Sequence, residues 1–286
     1  MSDFVTLFEM APRDGLQNEK AMIATADKIK LVDLLSQAGF SKIETASFVS
    51  PKWVPQMADS ADVMVGITRV DGVRYTALTP NMKGLEAAIA AKADEVAIFG
   101  SASEGFSQKN INCSIAESLE RFAPVVEAAR KANIPVRGYV SCVTDCPYDG
   151  RTPPDQVARV AADLIELGCY EVSLGDTIGQ GTSETVDAML RAVTERVPAD
   201  RLAGHFHDTA GRAIDNIRVS VGHGLRVFDA AVGGLGGCPY APGAKGNVAT
   251  EAVFDMLTAE GFETGLDREA MMVAAEFARS LRGDAG

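Results

Sequence analysis

Short apolar runs of strand length recur along the chain at Phe4–Glu9, Lys42–Ala46, Arg74–Leu78, Glu95–Phe99, Val136–Ser141, Tyr170–Leu174, Leu202–His207 and Arg226–Val232. Between most of them lie longer stretches whose apolar residues repeat with helical period, as at Ala26–Gln37, Ile115–Lys131, Pro154–Leu167, Glu184–Val197 and Arg212–Val221. Strands that are apolar throughout, alternating with amphipathic helices, predict βα units around a parallel sheet. Local chemistry marks some boundaries. Ser114 and Glu117 have the spacing of a capping box, and Thr152-Pro153-Pro154-Asp155 reads as an N-cap followed by proline at the first helical position. Gly39, Gly168 and Gly224 each close a helix just ahead of a strand, the place of a left-handed C-cap.

Eight units in 286 residues amount to about 36 residues each, close to what a barrel of ~250 residues requires. A doubly wound sheet is the alternative. Its G-x-G-x-x-G turn is missing after the first strand, where Glu9-Met10-Ala11-Pro12-Arg13-Asp14-Gly15 stands instead. The expected fold is therefore a (β/α)8 TIM barrel forming one catalytic domain over residues 1–286, with 266–286 a C-terminal helical extension and Leu266–Leu281 its helix.

Composition narrows the function classes. A net charge of −12, with no dense Lys/Arg run, argues against nucleic acid as a partner. No apolar stretch approaches the ~18 residues of a membrane span, and an early strand at Val5, Leu7 and Phe8 leaves no room for a signal peptide. Five scattered cysteines make no disulfide framework, so a reducing, cytoplasmic compartment is expected.

In such a barrel the chemistry sits at the C-terminal ends of the strands. His205 and His207, two of only three histidines, lie at i, i+2 near a strand end and share one face. Imidazole together with carboxylate or amide oxygen suits a divalent cation, with Asp14 and Asn247 from neighbouring strand ends available to complete the set; a pair of packed or exposed histidines without metal is the plainer alternative. Arg13, always charged and planar, is equipped to hold an oxyanion, although an Arg-Asp pair also marks many solvated turns. Glu44 and Asp176 interrupt or end apolar strands and need partners, a salt bridge among them; Glu171 is expected to be outward or structural. Cys238, in a segment with six glycines from Gly233 to Gly246, reads as a functional thiol on a loop able to move. The other four cysteines read as inert, and His223 as a helix-end cap.

These segments resemble hydroxymethylglutaryl-CoA lyase, within the metal-dependent aldolase-like barrels that include isopropylmalate and homocitrate synthases. Pro12-Arg13-Asp14-Gly15-Leu16-Gln17 and His205-Phe206-His207-Asp208 carry the superfamily likeness. Ser47-Phe48-Val49-Ser50-Pro51-Lys52-Trp53 and Gly234-Leu235-Gly236-Gly237-Cys238-Pro239-Tyr240 carry the lyase likeness. The resemblance implies one Mg2+ or Mn2+ per subunit, held by Asp14, His205, His207 and Asn247. It implies catalytic roles for Arg13, Asp14, Cys238, Glu44 and Asp176, the last two orienting Arg13 and the metal-bound groups. Contacts to an acyl-CoA substrate fall to Arg13, Gln17, Ser47 and Lys52, with Lys52, Lys109 and Arg13 offsetting the acidic balance. A homodimer acting in leucine degradation or ketone-body formation is expected. The chain departs from the common pattern at Ala210 and Lys245, which leaves open a longer 3-hydroxy-3-alkylglutaryl-CoA. A Claisen-type condensing synthase, a metal-dependent hydrolase and a non-catalytic acyl-CoA binder are the other readings.

Overall fold

The computed structural model describes residues 3–236 and 246–282. Eight parallel strands close into a barrel: β1 (Thr6–Glu9), β2 (Lys42–Ser47), β3 (Arg74–Leu78), β4 (Glu95–Ser101), β5 (Val136–Ser141), β6 (Glu171–Asp176), β7 (Leu202–Phe206) and β8 (Val227–Ala230), with β8 returning to pair with β1. Each strand sits beside its sequence neighbours, as the βα alternation predicts. A short antiparallel ribbon, Asp145–Cys146 with Gly150–Arg151, stands apart between β5 and β6.

The outer layer contains α1 (Thr25–Gln37), α2 (Ser60–Gly66), α3 (Met82–Ala90), α4 (Glu104–Ile111), α5 (Ile115–Lys131), α6 (Pro154–Leu167), α7 (Ser183–Thr194), α8 (Ala213–Gly222), α9 (Thr250–Ala259) and α10 (Arg268–Ser280). Their apolar faces and the outward side chains of the strands make one continuous core between barrel and helices. A second, smaller cluster of Phe8, Met10, Leu78, Ala97 and Tyr139 fills the barrel's inside. Barrel strands are thus buried on both faces, which is why they read as unbroken apolar runs.

The capping box at Ser114 and Glu117 starts α5. At α6 Pro154 takes the first helical position, but the N-cap is Pro153 and the Thr152 hydroxyl makes no cap bond, so the start lies one residue later than the Thr152 cap implied. Gly39, Gly168 and Gly224 have φ of 89°, 121° and 94°, a region costly for residues with a Cβ. The tail helix α10, capped by the Asp267 carboxylate on Ala270 N at 3.0 Å, buries Met271, Ala274, Ala275 and Ala278 and packs on α1 and on the Val232–Gly234 turn that follows β8.

Candidate metal centre and acyl cleft

After β1 the backbone makes one wide turn, Ala11–Gly15, closed by the Gly15 N–H donating to the Met10 carbonyl at 3.0 Å. Such π turns are rare and recur at functional sites. This one delivers Arg13 and Asp14 into the barrel mouth. Gly15 is required by contact, because a Cβ there would lie 2.8 Å from Leu235 Cβ. Glu9 braces the same turn from below. Its buried carboxylate accepts from Ala11 N at 2.9 Å, Val232 N at 3.0 Å and the Thr250 hydroxyl at 2.8 Å, and burial pushes its pKa up to about 7.

Asp14, His205 and His207 converge with one donor atom each, all within 4.8 Å of one another. Asn247 joins them because its strand-like segment bridges antiparallel to His207, fixed by Asp208 N donating to the Gly246 carbonyl at 2.7 Å. The Asn247 amide donates through Nδ2 to Asp14 Oδ2 at 2.7 Å and to the Leu235 carbonyl at 3.3 Å, while its Oδ1 is buried without a partner. His207 Nδ1 is likewise buried and unpaired. Unpaired buried acceptors are costly; these two belong to side chains that meet Asp14 and His205, and carboxylate, amide and imidazole together are donor types that suit a divalent cation.

The electrostatics agree with that use. Burial alone would raise Asp14, but Arg13, both histidines and the Asn247 bond outweigh it and hold its carboxyl at about 2. Burial and the neighbouring His205 push His207 down to about 4, so it is neutral at pH 7, as a ligand must be. His205 moves the other way: burial lowers it, yet Asp229, whose Oδ2 lies 3.2 Å from its Nδ1, and Asp14 raise it on balance. Its Nε2 then faces the donor set, 4.0 Å from Asp14 Oδ2.

Arg13 is buried and paired on both sides, to Asp14 Oδ1 at 2.6 Å and to the fully buried Glu44 through Nε and Nη2. Glu44 accepts a further bond from the Tyr139 hydroxyl at 2.9 Å. Burial raises Glu44, with Arg13 and Tyr139 opposing it, whereas the two carboxylates overcome burial to keep Arg13 charged. Arg13, Asp14, Gln17, His205 and His207 all line a cleft of about 960 Å3 that runs from the donor set between the β2, β3 and β4 loops and α4–α5. Its far wall is largely apolar, with Val49, Val54, Leu78, Phe99, Phe106 and Phe122, and Asn110 and Arg121 lie on its border.

Other expected site residues fall elsewhere. Asp176 does not reach Arg13 or the metal donors. Its carboxylate is taken up by Thr144 Oγ1 at 2.9 Å, Gly181 N at 2.9 Å and Gln180 N at 3.3 Å, which organise the β6–α7 loop. Ser47 is buried, its backbone bound on both sides by the Ser60 hydroxyl, and its own hydroxyl meets no partner and is not on the cleft. The register of β2 on β3 slips between Glu44 and Ala46, so alternation along that strand does not carry from Glu44 to Ser47. Lys52 is exposed beside the rim residue Trp53. Cys238 and Lys245 lie outside the described residues; Cys113, Cys142, Cys146 and Cys169 are buried free thiols. His223 caps α8 and pairs with Asp187 at 2.8 Å.

Sequence reasoning missed a buried network inside the barrel, behind the cleft. Arg137 donates to Asp229 through Nη1 at 3.0 Å and Nη2 at 2.8 Å, to Glu171 at 2.7 Å and to the Tyr139 hydroxyl at 3.1 Å. Glu171 thus points inward as a structural partner of Arg137. A charged residue inside the apolar run Val136–Ser141 was the available signal.

Fold and site define a (β/α)8 barrel whose mouth brings a carboxylate and two imidazoles close enough to hold a metal ion, with an amide beside them. The HMGL-like family profile matches residues 4–278. The chain belongs to that family. A Pseudomonas aeruginosa protein named 3-hydroxy-3-isohexenylglutaryl-CoA/hydroxy-methylglutaryl-CoA lyase is 59% identical over 272 residues, covering 95% of this chain and 91% of its own. The crystal structure of an HMG-CoA lyase from Brucella melitensis superposes with a TM-score of 0.97 at 64% identity, covering 98% of this chain and 99% of that one. An HMG-CoA lyase from Acinetobacter baumannii, solved with coenzyme A and 3-methylmalate, gives a TM-score of 0.93 at 36% identity, covering 99% of this chain and 92% of that one. Among the described residues no helix is long and apolar enough to cross a membrane.

Proposed function

We infer that the protein cleaves 3-hydroxy-3-methylglutaryl-CoA to acetyl-CoA and acetoacetate. The observation that carries this is the placing of Arg13, clamped between Glu44 and Asp14, against the donor set of Asp14, His205, His207 and Asn247 at the head of an apolar-walled cleft. Lyase names among the relatives, and a structural relative solved with coenzyme A, support it and do not favour a condensing synthase.

A bound Mg2+ or Mn2+ would supply Lewis acidity and a template for the hydroxyl and carboxylate oxygens of the acyl group. Retro-Claisen cleavage moves the C2–C3 electrons onto the thioester fragment and takes the proton from the tertiary hydroxyl. Negative charge grows on the thioester oxygen, and Arg13 is the permanent cation placed to receive it. Glu44 and Tyr139 hold the guanidinium in plane, so no reorganisation accompanies the step. Asp14, ionised far below neutral pH, helps accept the hydroxyl proton. Cys238 returns a proton to the acetyl carbon, and the proton taken from the hydroxyl restores the thiol, so no net proton is exchanged and both new carbonyl groups are uncharged, with the substrate carboxylate kept on acetoacetate. Gln17 sits on the cleft to bind the acyl portion, and Lys52 sits near its rim.

In this reading the enzyme works as a cytoplasmic homodimer in leucine degradation or ketone-body formation. Incubation with hydroxymethylglutaryl-CoA and Mg2+ or Mn2+ should yield acetoacetate and acetyl-CoA in equal amounts. Turnover of acetyl-CoA with a 2-oxo acid, and no acetoacetate from the thioester, would overturn the assignment.

A further inference from the structure

Asp229 touches neither the cleft nor the donor set's outer face, yet it is the sole hydrogen-bond partner of His205 Nδ1 among the contacts described. It comes from β8, opposite Arg137 on β5. Its Oδ2 gathers Ser173 Oγ at 2.7 Å, Arg137 Nη1 at 3.0 Å and His205 Nδ1 at 3.2 Å, while Oδ1 takes Arg137 Nη2 at 2.8 Å. Both Arg137 and Asp229 are at most 1% exposed, and the Phe8 ring lies 4.5 Å from the Arg137 guanidinium. Three donors from three strands therefore leave this carboxylate no freedom to turn.

We propose that Asp229 is a positioning residue for the metal centre, locking His205 in the tautomer that carries its proton on Nδ1 and presents a bare Nε2 to the cation. The argument rests on donor counting. Arg137 and Ser173 are donors only toward Asp229, so the carboxylate has acceptor capacity alone to offer His205, and Nδ1 must bring the hydrogen. A proton on Nδ1 leaves the Nε2 lone pair free on the side of Asp14. Imidazole ligands oriented by a buried carboxylate are a general device for tuning metal affinity. Arg137 also donates to the Tyr139 hydroxyl, which donates to Glu44, the partner of Arg13. One buried cation therefore supports both the metal-binding and the oxyanion-binding halves of the site.

The proposal builds on the metal reading and is tested apart from catalysis. In Asp229→Asn the single amide oxygen is claimed by Arg137 and Ser173, so the amide NH2 faces His205 and drives its proton to Nε2, blocking the metal-facing nitrogen. Titration of the whole chain with Mn2+, read by electron paramagnetic resonance of the free ion, should give a dissociation constant weaker by roughly 10–100-fold. The 15N shifts of His205 in the metal-free protein should invert their tautomer pattern while those of His223 stay put. Ser173→Ala, which removes one donor and keeps the charge, should fold as the parent does and weaken Mn2+ by a few-fold only, and it carries the test if the Asn variant does not fold. Parent-like affinity within two-fold and an unchanged tautomer in Asp229→Asn, or no change at all in Ser173→Ala, overturns the positioning role. A parent chain that does not bind Mn2+ overturns the metal centre itself.

Discussion

Replacing Arg13 by Gln should separate the cost to catalysis from the cost to folding, and pH should tell them apart. The variant strips Glu44 of its cation and leaves it fully buried with only the Tyr139 hydroxyl as donor. A buried carboxylate without its partner takes up a proton instead of staying charged. Neutralising a group of ordinary pKa 4.5 at pH 7 costs at most about 3.4 kcal/mol at 1.36 kcal/mol per unit, and at pH 5 at most about 0.7 kcal/mol. The sign follows from linkage: a folded-state pKa above the unfolded one gives stability that is complete below the unfolded value and lost as pH rises through the folded value. Urea denaturation should show Arg13→Gln well below the parent at pH 7 and close to it at pH 5, with the pH dependence removed by adding Glu44→Gln. Activity should fall about 10²–10³-fold, the scale of losing one oxyanion donor, and it should not recover at pH 5. Equal destabilisation at both pH values would refute the account of Glu44 as a carboxylate held ionised by Arg13.

Gly15→Ala should cost about 1–3 kcal/mol of stability, the range for overpacking, since its methyl group meets Leu235 Cβ at 2.8 Å; Mn2+ affinity should drop as well, because Leu235 carries the carbonyl that steadies Asn247, and a parent-like thermal midpoint would exclude the clash. For His207, with a folded pKa of about 4 against an ordinary 6.5, the neutral ring contributes stability present above pH 6.5 and lost as pH falls through about 4. In the chelator-treated protein this amounts to at most about 3.4 kcal/mol, and His207→Gln should flatten that part of the stability profile; an unchanged profile counts against a buried neutral ring. Cys238→Ser should retain Mn2+ binding while losing most acetoacetate formation, and full activity in that variant would remove the thiol from the proton-return step.

The barrel was legible in the sequence because strands buried on both faces have no polar alternation to confuse with loops, and the helices between them carry apolar stripes and caps. β3 and β5, α5 and α6 fall at the bounds the pattern predicts. Short or small-residue helices were not: α2, α3 and α4 have seven to nine residues, too few turns for a stripe to repeat, and α9 follows a glycine-rich segment that masks its start. At the site, Arg13, Asp14, His205 and His207 could be grouped because each sits where a strand run ends. Arg137 and Asp229 could not, since 92 residues separate them and only closure of the barrel sets β5 opposite β8. The surroundings of Asp176 were hidden for a related reason: at the last residue of β6 it binds two amides of its own loop and the Thr144 hydroxyl from the segment after β5, and position at a strand end does not say which partners a side chain meets.

That hidden network also bears on how a divalent cation would fit the charge of the mouth, in line with a chain of net charge −12. The connected buried cluster contains four carboxylates, Asp14, Glu44, Glu171 and Asp229, against two guanidinium groups, Arg13 and Arg137. Its formal deficit is two charges. A single divalent cation would cancel it, close to Asn247 Oδ1 and His207 Nδ1, which have no protein partner. The upward shift of His205 has the same source, since Asp229 on one side and Asp14 on the other outweigh the burial that lowers it. Two arginines suffice to fix the geometry of the carboxylates and fall short of neutralising them; a third cation there would compete with the metal. The charge of the barrel interior would thus balance with a divalent cation bound, and of the side chains that set the balance, Glu44, Glu171, Arg137 and Asp229 lie behind the residues that line the cleft.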